Sequence, residues 1–349
     1  MNDIKIDNLI IGQNHEPMII AEMSGNHNQS IDKAMEILEA AADAGVHFLK
    51  LQTYTADTMT LDLKHGEFFI DDEESLWSGN SLYDLYKIAH TPWEWHEPLM
   101  KRARELGMIC FSTPFDESAV DFLEDLDTPI YKVASFENRD LNLISKVAST
   151  GKPMIISTGM ASIAEINDMV DTARNFGCKD LILLKCTSAY PSSTNESNIV
   201  TIPHMKKLFK CHIGLSDHTM GIGAAIAAVS HGAVIIEKHF TIDRTEGGVD
   251  SDFSLEPNEM SELVVETKQA HSSLGQIKYG ATSNEKNSLI FRRSLYICED
   301  MKKGDTLNKK NLRIIRPGLG LPPKYFKVLL GKQVKSDIKK GTAVTWDII

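Results

Sequence analysis

Eight short β-type runs, each followed by a stretch of helical periodicity, fill the first two thirds of the chain and leave few ways to fold it. The runs are MIIAE (18–22), HFLKLQ (47–52), MICFS (108–112), IYKVAS (130–135), PMIIST (153–158), LILLKC (181–186), CHIGLS (211–216) and AVIIEKH (233–239). Continuous apolar runs suit strands buried on both faces, the condition of a parallel sheet covered by helices. Residues 31–44 place Ile31, Ala34, Met35, Leu38 and Ala42 on one face, and 92–106, 118–126, 162–176 and 257–274 read as further amphipathic helices. Gly45, Gly107, Gly177 and Gly232 stand where helices would end, just before the next run. The pattern predicts an α/β fold, a (β/α)8 TIM barrel. The competing open doubly wound sheet would carry a glycine-rich phosphate turn after its first strand, and SGNHNQS lacks that spacing.

Beyond residue 275 the alternation lapses into QIKYGATSNEK, then into the strand-like pieces RSLYICED, VLLGKQVKSDI and TAVTWDII. The expected organisation is a barrel over 1–276, a linker over 277–288 and a small, mainly β domain over 289–349. So small a unit stabilises itself poorly, which predicts that it packs on the barrel or on a second subunit. A net charge of −11 excludes a broad nucleic-acid or anionic-membrane surface, so no nucleic acid or membrane is expected as partner. The longest apolar run, 224–236, is broken by Ser230 and His231 and is too short to span a bilayer. MNDIKIDNLI lacks the basic and apolar regions of a signal peptide, and a cytoplasmic location is expected. Five cysteines without a CxxC pair predict reduced thiols and exclude a cysteine-rich zinc site.

In such a barrel the reacting groups gather at the C-terminal ends of the strands. Here those ends are polar throughout: Glu22; Lys50 and Gln52; Ser112 and Thr113; Lys132 and Ser135; Ser157 and Thr158; Lys185 and Thr187; Ser216, Asp217 and His218; Glu237, Lys238 and His239. Lysines and hydroxyls around one mouth make a site for phosphate or carboxylate. Lys50 and Lys132 lie inside apolar runs, where an ammonium needs a core carboxylate, an anionic ligand or, as in Schiff-base aldolases, a carbonyl substrate. His218 and His239 close adjacent strands, either as a satisfied core pair or as two ligands of Mn2+, Mg2+ or Co2+ with positions left for substrate. Glu22 and Glu137 are candidate acid/base groups.

The segments IIAEMSGNHNQS, KLQTY, CFSTPFD, YKVASFE, IISTGMAS, LKCTSAYP, GLSDHT and EKHFT resemble, in the same order, the sialic acid synthase family. SLYICEDMKKGD, NLRIIRPGLGL and LLGKQVKSDIKKG resemble its C-terminal antifreeze-like (SAF, β-clip) domain. The resemblance implies condensation of phosphoenolpyruvate with an acetamido sugar to a nine-carbon 2-keto acid, with loss of phosphate by C–O cleavage. It assigns a divalent metal to His218 and His239, and catalytic positions to Glu22, Lys132 and Glu137. Lys50, Thr113, Ser135, Ser157 and Ser216 match contacts to phosphoenolpyruvate, and Gln52, Ser188, Tyr190 and Asp250 match sugar-side positions. Arg316 matches an arginine that reaches the neighbouring subunit's site, which implies a domain-swapped homodimer.

TYTADTMTLD, LWSGNSLYDLY and TPWEWH resemble the branch of the family that takes a 6-deoxy diacetamido altrose. Ser188, where N-acetylneuraminate-forming members carry asparagine, points the same way. N-acetylneuraminate and N,N'-diacetyllegionaminate formation remain the alternatives within the family; a Schiff-base aldolase and a non-enzymatic carbohydrate-binding protein lie outside it. An apolar pocket from Trp77, Tyr83 or Trp93 would suit the deoxy sugar. Gln29 departs from a common glycine, and the loop after the first strand is expected to differ.

Overall fold

All eight runs form strands of one closed parallel barrel in a computed structural model that describes residues 1–73 and 75–349. A hairpin of β1 (Ile4–Ile6) and β2 (Leu9–Ile11) precedes it. The barrel strands are β3 (Met18–Glu22), β4 (Phe48–Thr53), β5 (Ile109–Pro114), β6 (Tyr131–Val133), β7 (Met154–Ser157), β8 (Leu181–Cys186), β9 (His212–Asp217) and β10 (Ile235–His239). They pair in sequence order, and β10 closes on β3 with His239 beside Glu22. The open-sheet alternative is thereby excluded.

Strand alternation sorts each run into two faces. Ile20, Phe48, Phe111, Ile155, Ile182, Leu184 and Ile235 point inward and pack with Ile4, Ile6 and Ile11 of the hairpin, which plugs the N-terminal end. Phe48 and Phe111 meet edge to face, ring centroids 5.8 Å apart. Gly214 is required in this layer, because a Cβ there would lie 2.4 Å from Ile235 and 2.6 Å from Leu184. Ile19, Leu49, Leu51, Leu183, Ile213 and Ile236 point outward into the layer shared with the helices. Two residues above Ile20, Phe48, Phe111, Ile155 and Ile235 the same face turns polar, at Glu22, Lys50, Thr113, Ser157 and Glu237, so one strand face carries both the core and the site.

The helix over Ile31–Asp43 buries Ala34, Ile37, Leu38 and Ala41, and the expected Met35 and Ala42 pack half-buried against the same core, so the stripe is wider than expected and centred nearer Ile37. The expected helix over 92–106 is a short 3-10 turn, Trp93–Trp95, followed by an α-helix at His96–Glu105. Between β4 and β5 the chain makes a long excursion, 54–95, containing helices at Ala56–Met59 and Leu82–Ala89. Gln29, left-handed at φ 55°, braces it: its side-chain amide donates to the carbonyls of Ile88 (3.0 Å) and His90 (2.6 Å). The departure noticed in the sequence thus has a structural use that glycine could not serve.

The chain divides into two compact units, Met1–Gly275 and Gln276–Ile349. The second holds β11 (Ser294–Ile297) antiparallel to β12 (Leu312–Ile315) over its own core of Leu295, Ile297, Leu307, Leu312, Leu329 and Val344. Among the described residues all five cysteines are free, and no helix is long and apolar enough to cross a membrane.

Candidate active site

A cavity of about 320 Å³ opens at the C-terminal ends of the barrel strands. Its floor is four charges. The Lys50 ammonium pairs with Glu22, lies 3.7 Å from Glu237 and donates to Thr113 Oγ1 at 3.3 Å. Lys132 Nζ is 3.4 Å from Glu237 Oε1, which also accepts from Ser216 Oγ at 3.0 Å. Gln52 Nε2 donates to Glu22 Oε1 at 2.9 Å. All four charged groups are buried. The core carboxylates expected as partners of the two lysines are Glu22 and Glu237, and both lysines also line the cavity.

Burial raises Glu22 to about 7 against the pull of Lys50. Desolvation lowers Lys132, which Glu237 only partly restores. Burial would raise Glu237, but Lys132 and Lys50 outweigh it and hold the carboxyl below its usual range. Glu137, at the rim, is raised to about 7 by burial, and its Oε2 has no hydrogen-bond partner. Ser157 Oγ is likewise buried and unpartnered. Unsatisfied buried polar atoms are rare in folded proteins, and their gathering here marks a surface shaped for a polar ligand.

His218 and His239 face each other with ring centroids 5.4 Å apart. His218 Nδ1 lies 2.9 Å from the Thr187 carbonyl, which can only accept, so in the neutral ring Nδ1 carries the proton and Nε2 keeps its lone pair. His239 Nδ1 is buried without a hydrogen-bond partner, 3.6 Å from Asp250 Oδ2. Desolvation, with His218 and the lysines adding to it, holds His239 well below its usual value and therefore neutral. Burial would lower His218, but the Cys186 thiol and the Thr187 carbonyl outweigh it and raise it. With Nδ1 committed to that carbonyl, Nε2 of His218, once deprotonated, and the neutral His239 ring are a donor set that fits a divalent ion with open positions. Among the described residues no group of three or more His, Cys, Asp or Glu side chains forms a metal cluster.

Of the remaining expected residues, Ser135, Tyr190 and Asp250 line the cavity. Asp250 accepts a short hydrogen bond from Ser24. Thr113 sits behind Lys50 and supports it. Ser188 lies behind the wall, its Oγ 3.6 Å from Cys186 Sγ, where Gly159 leaves room: a Cβ at Gly159 would come within 2.1 Å of Ser188 Oγ. Arg316 lies in the second unit, exposed, just after β12.

Several strand-end groups do not join the site. Lys238 points outward, 2.9 Å from Asp217 and 2.6 Å from the Thr219 carbonyl. Ser112 bonds Thr53 on the helix side at 2.6 Å, and Thr158 donates to the Leu184 carbonyl. The strand period of two explains all of these: one residue from an inward side chain lies an outward one. The same period places Glu237, named among the polar strand ends but given no role there, on one face with His239 and in the site. Cys186 is a second. Burial would raise its thiol, but His218 beside it holds it down to about 7.

Above the floor the cavity is apolar. Met59, Ile70, Trp77, Leu82, Leu85, Tyr86 and Ala89, all from the 54–95 excursion, make one wall, completed by Phe115, Phe136, Tyr190 and Val249. Of the three aromatic residues expected there, only Trp77 takes part. Tyr83 turns away to donate to Asp57 at 3.1 Å, and Trp93 stacks on Phe122 with centroids 4.6 Å apart.

A barrel mouth carrying paired lysines and glutamates beside two facing histidines is an anion-handling type of enzyme site. Residues 37–279 match the NeuB family and residues 292–349 match the SAF domain. The pseudaminic acid synthase of Helicobacter pylori is 41% identical over 95% of this chain and 98% of its own. The N,N'-diacetyllegionaminic acid synthase of Campylobacter jejuni is 34% identical over 94% and 98%. The crystal structure of N-acetylneuraminic acid synthetase from Leptospira borgpetersenii, in complex with citrate, superposes with a TM-score of 0.73 at 32% identity, covering 82% of this chain and 95% of that one. This chain belongs to the NeuB family.

Proposed function

We propose that the protein condenses phosphoenolpyruvate with 2,4-diacetamido-2,4,6-trideoxy-altrose, giving pseudaminic acid and phosphate. The observation that carries this reading is the floor, where Lys50 and Lys132 are buried at the barrel mouth beside the unpartnered Ser157 hydroxyl and Glu137 carboxyl. The choice of sugar rests on the higher identity to a pseudaminic than to a legionaminic acid synthase.

Lys50, Lys132 and the hydroxyls of Ser135, Ser157 and Ser216 hold the phosphate and carboxylate of phosphoenolpyruvate. The π pair of the enol forms the bond from C3 to C1 of the open-chain sugar, leaving C2 cationic, and the aldehyde oxygen takes the carbonyl π pair and a proton from the carboxyl of Glu22 or Glu137. Water adds at C2, giving its proton to a carboxylate, for which Glu22 and Glu137 are the candidates. The C2–O bond to phosphate then breaks, phosphate leaves with the electron pair, and the C2 hydroxyl loses its proton to become the keto group. Gln52, Tyr190 and Asp250 orient the sugar. Two lysines already neutralised by two glutamates cannot alone balance a phosphate and a carboxylate, so further positive charge is needed. His218 and His239 would hold Mn2+, Mg2+ or Co2+, which supplies a Lewis acid for the aldehyde oxygen. Arg316, exposed in this chain, supplies a further cation to a partner's site in a homodimer, an assembly favoured by the small core of the second unit. The reaction belongs to the cytoplasm, where phosphoenolpyruvate is made.

The test is phosphate release from phosphoenolpyruvate with Mn2+, comparing the altrose sugar with its diacetamido gluco and manno counterparts and with N-acetylmannosamine. Turnover of the altrose alone supports the reading. Turnover of a different sugar alone replaces the substrate, and absence of phosphate with all of them rejects the reaction.

A further inference from the structure

The cavity is divided by chemistry, and one segment supplies the larger part of its apolar half. Met59, Ile70, Trp77, Leu82 and Leu85 present hydrocarbon or ring surface to a space whose opposite end is the charged floor. The only indole N–H on this wall is already committed, donating to the Val249 carbonyl at 2.9 Å. Tyr54 and Tyr86 therefore supply the side-chain polar groups left, among the described residues, on the excursion's face of the cavity.

The wall is held in place by polar contacts made away from the cavity. Ile70 N donates to the Asn80 carbonyl at 2.9 Å, and Gly79 N donates to the Ile70 carbonyl at 2.8 Å, which fixes Ile70 in a short antiparallel turn. Ser81 caps the helix that begins at Leu82 by accepting from Asp84 N. Trp77 ties the excursion to the loop after β10, and Trp93 Nε1 closes its base on the Tyr54 carbonyl at 3.2 Å. A surface anchored at so many points keeps its shape without a ligand, as a specificity-determining surface must.

The aldehyde carbon has to reach phosphoenolpyruvate on the floor, so the opposite end of an extended sugar chain faces this wall. We propose that Ile70 and Leu82 are specificity-determining residues that select a sugar whose terminal carbon is a methyl group rather than a hydroxymethyl group. The inference rests on the proposed condensation and sharpens it. A terminal hydroxyl against Ile70 and Leu82 gives up its bonds to water and meets hydrocarbon, with Tyr54 and Tyr86 the polar side chains on that face. A methyl group there removes apolar surface from water instead. An apolar wall rejects an added hydroxyl by on the order of 100-fold in kcat/KM and no more, which sets the size of the effect.

The experiment measures phosphate release with 2,4-diacetamido-2,4,6-trideoxy-altrose and with its 6-hydroxy analogue, for the wild type, Leu82→Asn and Ile70→Thr. The wild type is expected to prefer the deoxy sugar by on the order of 100-fold, and each variant to lower that ratio about tenfold, chiefly through KM. A residue that merely supports the fold would slow both sugars alike and leave the ratio unchanged. An unchanged ratio in both variants, or a wild-type ratio near one, overturns the proposal. If the wild type releases no phosphate with either altrose, the condensation on that sugar is what has failed. The C6 preference is then read on N-acetylmannosamine and its 6-deoxy analogue, with the same outcomes for and against.

Discussion

The floor and the wall of the cavity are built by opposite means. Glu237, Glu22 and Lys50 stand on the adjacent strands β10, β3 and β4, and Lys132 on β6; the register fixes where each side chain points, two residues above apolar neighbours in the barrel core. Ile70, Trp77 and Leu82 stand on an excursion that owes its shape to distant anchors, Gln29 at one end and Val249 at the other. In the proposed reaction the register-determined part holds the groups that bond chemistry demands, and the anchored loop those that we propose distinguish one sugar from another. A family built this way can change substrate by altering one excursion while leaving the barrel mouth alone.

This division predicts a descending series of effects. Lys132→Met removes a charge from the floor and is expected to reduce phosphate release by about 10³-fold or more, with an unchanged circular-dichroism spectrum. A loss under tenfold would move the anion site elsewhere. Chelation by EDTA is expected to abolish turnover and Mn2+ to restore it, while His239→Asn abolishes both turnover and Mn2+ binding measured by calorimetry. Retained Mn2+ affinity in that variant would remove the ion from this pair.

Glu237→Gln leaves Lys50 and Lys132 with less compensation in a buried setting, and breaking such a network costs about 3–5 kcal/mol. It should lower Tm by several degrees, whereas Gln29→Ala, acting on the excursion, should raise KM for the sugar with a smaller thermal shift. Equal thermal shifts would blur the distinction between floor and wall.

Glu137 supplies a pH test. Its folded pKa of about 7 lies above the ordinary carboxyl value of 4.5, so between those values the folded state binds more protons than the unfolded one. Its contribution to stability is therefore present at low pH and lost as pH rises through about 7. Glu137→Gln should flatten that decline, raising Tm more at pH 8 than at pH 5; an equal change at both would place its proton elsewhere. The smallest effect expected is the tenfold change in sugar preference at Ile70 and Leu82.

The sequence made the floor legible and left most of the wall hidden. Polar residues closing apolar runs are a local signal, and Glu22, Lys50, Lys132, Ser216, His218 and His239 do meet at one mouth. What strand ends alone could not sort was the face: Lys238 and Lys132 look alike in sequence until the period of two is counted from an inward neighbour such as Ile235. The wall had no such local signal. Trp77, Tyr83 and Trp93 were equally plausible by residue type, and their fates were decided by Val249, Asp57 and Phe122, partners that no spacing within the excursion announces.

The account holds that the floor adds water at C2 of phosphoenolpyruvate and expels phosphate with its bridging oxygen. Phosphoenolpyruvate carrying oxygen-18 in the bridge between C2 and phosphorus tests this directly when it is turned over with the altrose sugar and Mn2+ and the products are weighed by mass spectrometry. The label is predicted in the released phosphate. Label retained in the keto acid would mean that the P–O bond breaks, and would contradict the account.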